Sequence, residues 1–62
     1  MAMVFEVYVK FYYSRDEIFL KQTKFFHEAC DFVEKFLDFI WLNSSLDLVK
    51  YVKIRPIEVD EA

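Results

Sequence analysis

The chain predicts an α+β fold: one small β-β-α-β domain, with a three-stranded antiparallel sheet in order 2-1-3 and one helix packed on one face. Three observations predict it. Residues 4–13 alternate with period two, residues 27–43 switch to a helical period, and residues 48–55 return to an extended pattern that stops at Pro56.

In the first segment Phe5, Val7, Val9, Phe11 and Tyr13 fall on one side, with Glu6, Tyr8, Lys10 and Tyr12 on the other. Such alternation, rich in β-branched and aromatic residues, marks a half-buried strand. Residues 14–26 admit two readings. Ser14 and Glu17 have the spacing of a helix capping box, and a helix begun there would run about 45 Å at 1.5 Å per residue. It would put Gln22 inside the apolar stripe and Leu20 among the charges, and strands of about 30 Å could not cover it. The alternative is a strand over 18–25 joined to the first by the loop Ser14–Glu17, so that Tyr13 sits opposite Ile18. Phe19, Thr23 and Phe25 favour extended structure. The chain contains no glycine, which two-residue hairpin turns usually want, but a four-residue type I loop does not require it. The hairpin is the preferred reading.

From His27 onward Ala29, Phe32, Val33, Phe36, Leu37 and Ile40 share one helix face, opposite Glu28, Asp31, Glu34, Lys35 and Asp38. Asn43-Ser44-Ser45 is expected to stop the helix, with Asn43 able to turn left-handed. Pro56 lacks a backbone donor, so the last strand belongs at a sheet edge or leaves the sheet there. The acidic tail, residues 57–62, is expected to fray. The helix returns the chain across the sheet, which puts the last strand antiparallel beside the first.

Under that pairing, Ile18 and Leu20 join Phe5, Val7, Val9, Phe11, Val52 and Ile54 beneath the helix. The open face carries Tyr8, Tyr12, Phe19, Phe25 and Tyr51, interleaved with Lys10, Lys21, Lys53 and Arg55. The helix also has a surplus. Its apolar arc runs from Phe39 and Phe32 round to Cys30 and Trp41, about 200° at 100° per residue and wider than a surface helix needs. Phe39-Ile40-Trp41-Leu42 is apolar nearly all round.

Size and composition then point to association. Sixty-two residues lie near the lower limit for independent folding. Chains this small usually add disulfides, a metal or a partner. A single cysteine excludes an intrachain disulfide, and one histidine with one cysteine argues against a structural zinc site. With 56% hydrophobic and 21% aromatic residues, the apolar bulk exceeds what one thin domain hides. The expected partners are a second copy, giving a homodimer, and, as a second class, another protein. The interface anchors are expected to be Tyr8, Tyr12, Phe19 and Tyr51 on the sheet, and Phe39, Trp41 and Leu42 at the helix end. No apolar run approaches the ~20 residues of a membrane span. With no secretory pattern and a lone thiol, a cytoplasmic setting is expected.

Chemistry is not expected. His27, Cys30 and Asp31 share a helical turn, but a metal site or a Cys-His nucleophile needs further members that the chain lacks. The simpler reading has His27 open the helix and Cys30 pack as a small apolar side chain. The carboxylates Glu28, Asp31, Glu34 and Asp38 read as a solvated stripe, and without glycine there is no phosphate-cradling loop. No enzyme, cofactor or metal is therefore expected. Seven of the eight basic residues lie outside 27–43, so the sheet is basic and aromatic and the helix acidic. This allows an alternative, single-stranded nucleic-acid binding by base stacking, with Lys10, Lys21, Lys53 and Arg55 as contacts. The net charge of −3 weighs against it. The acidic helix allows another alternative, an inhibitor that imitates nucleic acid to block a host factor. No segment carries a family motif. Size and acidity alone suggest an accessory protein of a phage or mobile element.

Overall fold

A computed structural model describes residues 2–43 and 46–60. Ser44 and Ser45 of the expected helix stop, Met1 and the last two residues of the acidic tail lie outside the described residues. In chain order the elements are β1 (Ala2–Phe11), β2 (Ile18–Thr23), α1 (Phe26–Leu42), a short 3-10 turn (Leu46–Leu48) and β3 (Val49–Val59). They form a three-stranded antiparallel sheet in the order β2-β1-β3, with the helix on one face. The α+β class, the element order and the central place of the first strand are those the sequence predicts.

Ser14 settles the ambiguous stretch. Its hydroxyl accepts from the Phe11 backbone N–H at 3.2 Å and lies 3.1 Å from the Phe11 carbonyl, while its own N–H donates to that carbonyl at 3.2 Å. A serine so engaged with the strand behind it is not free to cap a helix ahead of it. The connection is longer than predicted, however. β1 stops at Phe11, the residues between it and Ile18 form the loop, and Val9 rather than Tyr13 faces Ile18. Because Val9 and Tyr13 share parity, Ile18 and Phe19 keep their expected faces.

Two β-bulges alter the register. Tyr8 pairs with Phe19 but Val7 pairs with Lys21, so Leu20 is the unmatched residue and every later side chain of β2 changes face. Lys21 and Thr23 therefore lie on the helix side, contrary to the expectation that Lys21 belongs to the open face. The second bulge lies between Lys10 and Phe11, where Lys50 is the extra residue and Phe11 meets Val49. β2 also ends earlier than expected. The Thr23 hydroxyl donates to the Phe25 carbonyl at 3.0 Å, and Phe25 becomes the extended residue before the helix instead of an open-face aromatic. β3 runs past Pro56 to Val59, because Ala2, Met3 and Val4 supply partners for Val59, Glu58 and Ile57. Those residues are strand, not frayed tail. Pro56 lies on an edge strand, where its missing donor is tolerated. Asn43 ends the helix with φ −94° and ψ 11°, not in the left-handed region, and its side-chain amide donates to the Phe39 carbonyl at 2.8 Å.

The core is thin. Val7 and Val9 at the centre of β1, with Ala29 and Ile40 of α1, are the buried apolar side chains among the described residues. Phe32, Val33, Phe36 and Leu37 flank them half-buried, so the six helix residues predicted to face the sheet do so. Phe5 and Phe26 close one end edge to face, with centroids 5.6 Å apart. Geometry explains why so little is sealed. Seventeen helical residues span about 25 Å, whereas the eleven of β3 span about 36 Å. The sheet overhangs the helix that covers it. The backbone measures 43 × 24 × 11 Å overall.

Candidate functional site

The open sheet face is built round Tyr8 in the central strand. Register places Phe19 on one side of it and Lys53 on the other. Phe19 meets the Tyr8 ring edge to face at 5.7 Å, and the Lys53 ammonium sits over the same ring at 5.8 Å from its centroid. The Tyr8 hydroxyl donates to Glu6 at 2.7 Å. Glu17, the last loop residue before β2, accepts the Tyr51 hydroxyl at 2.6 Å and the Lys53 ammonium at 2.7 Å. Since β1 lies between β2 and β3, this carboxylate bridges the two outer strands across the middle one. Sequence reasoning gave Glu17 no such role, and no local pattern could have, because its partners lie on β3, which is not adjacent to the β2 strand that Glu17 precedes.

The electrostatics follow from these bonds. The hydrogen bonds from Lys53 and then Tyr51 hold the Glu17 carboxyl below its ordinary pKa. The bond to Glu17 raises the Tyr51 phenol, and the bond to Glu6 raises that of Tyr8. A carboxyl whose folded pKa is depressed adds stability above its unfolded pKa and loses it as pH falls through the folded value. The bridge should therefore open at acid pH. A carbon-13 titration of the Glu17 carboxyl should give a pKa below that of an unperturbed glutamate, and Lys53→Met should move it upward. An unchanged value in the variant would show that Lys53 does not hold this carboxylate.

Of the predicted cations, register keeps Lys10, Lys53 and Arg55 on the open face with Tyr8 and moves only Lys21 to the helix side. Lys21 sits over the Phe32 ring of the helix at 5.3 Å. The Lys10 ammonium donates to the Ser14 carbonyl, and to that of Phe11 at 3.2 Å, so it secures the loop. Lys53 is ion-paired, and Arg55 faces Glu6 across the strands. Tyr12 is not on the open sheet. It lies in the loop, where its N–H donates to the Leu48 carbonyl at 2.9 Å and extends the pairing of β1 towards the 3-10 turn.

That bond defines an apolar end of the molecule. The end of β1, the loop, the C-terminus of α1 and the start of β3 converge there. Tyr12, Tyr13, Phe39, Trp41 and Leu42 are each 63% to 75% exposed, whereas Phe19 is 52% and Tyr51 only 38%. Leu48 is also exposed. Sequence reasoning missed both Tyr13, expected beneath the helix, and Leu48 as surface residues. A strand ending at Phe11 moves Tyr13 into the loop, and no spacing in the sequence shows that. Both flanks of the helix are open: Phe39 projects on one side, Cys30 and Trp41 on the other.

The His27 turn offers less. His27 stacks on Phe25, and Cys30 is exposed instead of packed. Lys35 pairs with Asp31 at 3.0 Å on the solvent side. Among the described residues no three His, Cys, Asp or Glu side chains are grouped to hold a metal. No described helix is long and apolar enough to cross a membrane. Comparison with protein-family models, with curated proteins and with solved structures finds no match in any of the three.

Proposed function

We propose that this chain is a non-catalytic interaction module that self-associates through surplus aromatic surface, in a cytoplasmic setting that suits its unpaired, exposed thiol. One quantity carries the reading. The chain exposes 4889 Å² for a mass of 7.6 kDa, whereas a folded monomer of that mass exposes about 4,300 Å². The excess of about 600 Å² approaches the ~800 Å² that each partner contributes to a standard interface. The thin core agrees with it, since the exposed aromatic side chains outside that core would find cover only in another molecule.

Single-stranded nucleic-acid binding has less support, because Lys10, Lys21 and Lys53 are engaged within the chain. Sedimentation velocity across a dilution series from about 100 to about 1 μM should show twice the monomer mass at the upper end. It should change little between low and high salt, whereas nucleic-acid binding would weaken steeply. A folded monomer at every concentration would overturn the reading. Retardation of single-stranded oligonucleotides at low salt would favour the alternative.

A further inference from the structure

Resting on the proposed self-association, we infer that the seat of the dimer is the loop end of the molecule, with Tyr12, Trp41, Leu42 and Leu48 of each copy packed against a second copy about a twofold axis. A contact of this kind presents the same patch from both chains, so the patch must be complementary to itself. Two other surfaces compete for the role, and each has a physical disadvantage.

The open sheet face has its polar groups already partnered. Glu17, Tyr51, Lys53, Glu6 and Tyr8 bond to one another, and Tyr8 is half-buried among them. Docking there would remove charged groups from water and return little new apolar burial. The opposite end of the molecule exposes Met3, Phe25, Phe26 and Val59. Its nearby charges are Lys24 against Glu58 and Asp60, with Glu28 one turn into the helix, so two copies meeting there would bring acid against acid.

The loop end differs in charge. Arg15, Asp16 and the ion-paired Glu17 lie in the loop, Asp47 and Lys50 lie where β3 begins, and Asp38 stands one helical turn before Leu42, so charges of both signs surround the apolar centre. About a twofold axis each cation can meet an anion of the other copy. In a chain with net charge −3 the two cations at this end offset part of the repulsion between copies, which the single lysine of the opposite end does less well. An aromatic and aliphatic centre within a rim of mixed charge is the usual anatomy of a specific interface.

Trp41 is the single tryptophan of the chain and reports on this end in the unmodified protein. Its emission maximum should move to shorter wavelength as concentration rises, in step with the dimer fraction from sedimentation. Leu42→Glu should raise the dimer dissociation constant at least about tenfold, with an unchanged far-ultraviolet circular dichroism spectrum confirming that the variant is folded. A dimer that forms without any change in Trp41 emission would place the seat elsewhere and leave self-association standing. A chain that never dimerises overturns both.

Discussion

Val7→Asp should unfold the protein. Val7 is completely buried at the centre of the middle strand, with its neighbours Val9 and Ala29 also sealed. The nearest cation is Lys21, the cross-strand neighbour of Val7 on the helix side, but its side chain is exposed with the ammonium over the Phe32 ring. A carboxylate sealed at position 7 therefore still costs several kcal/mol to ionise or protonate. A domain of this length holds about 3–9 kcal/mol in total, so one such substitution consumes most of its stability. Val7→Ala separates charge from volume. It removes two buried carbons, worth about 2 kcal/mol with the cavity included, and should lower the urea midpoint while leaving a cooperative transition. Circular dichroism during urea titration measures both. Retention of a native, cooperative transition by Val7→Asp would mean that water reaches the middle of the sheet, which a sealed two-layer core does not allow.

The same core explains which features can be read along the chain. Ala29, Phe32, Val33, Phe36, Leu37 and Ile40 are legible as a helix face because one regular element sets their spacing. The place of β1 between its two partners follows from its strong alternation and from the helical return. The Tyr8, Phe19 and Tyr51 positions follow from parity, which survived an error in the length of the loop. Lys21 was lost because a single unmatched residue, Leu20, inverts parity for the rest of its strand. A bulge leaves no mark in a pattern that has no glycine to flag it. Phe25 was lost to a hydroxyl bond from Thr23, and Tyr12 and Tyr13 to the early exit of β1 at Phe11. All of these are choices of where one element hands over to the next. The Glu17 bridge is harder still, because it joins a loop residue to a strand that the following strand never touches, 34 positions away in the case of Tyr51.

Ala29→Phe should be nearly as damaging as Val7→Asp, for a steric reason. Ala29 is completely buried on the helix face that covers Val7 and Val9, and a side chain as small as a methyl group lets the two layers approach closely there. A phenyl ring in its place has no void to enter. It must lift the first half of the helix away from Val7 and Val9 or take up a strained rotamer, at about 3 kcal/mol or more given how little else seals this core. Cys30→Phe is the matched control. It adds a similar bulk one residue further round the same turn, where the side chain is exposed, and should shift the melting temperature by only a few degrees. A lifted helix would also bare apolar surface along the whole middle strand. Ala29→Phe should therefore form large, heterogeneous assemblies on concentration rather than a discrete dimer, which light scattering distinguishes directly. Equal melting temperatures for the two variants would show that the helix and sheet are not held at the close approach that Ala29 permits.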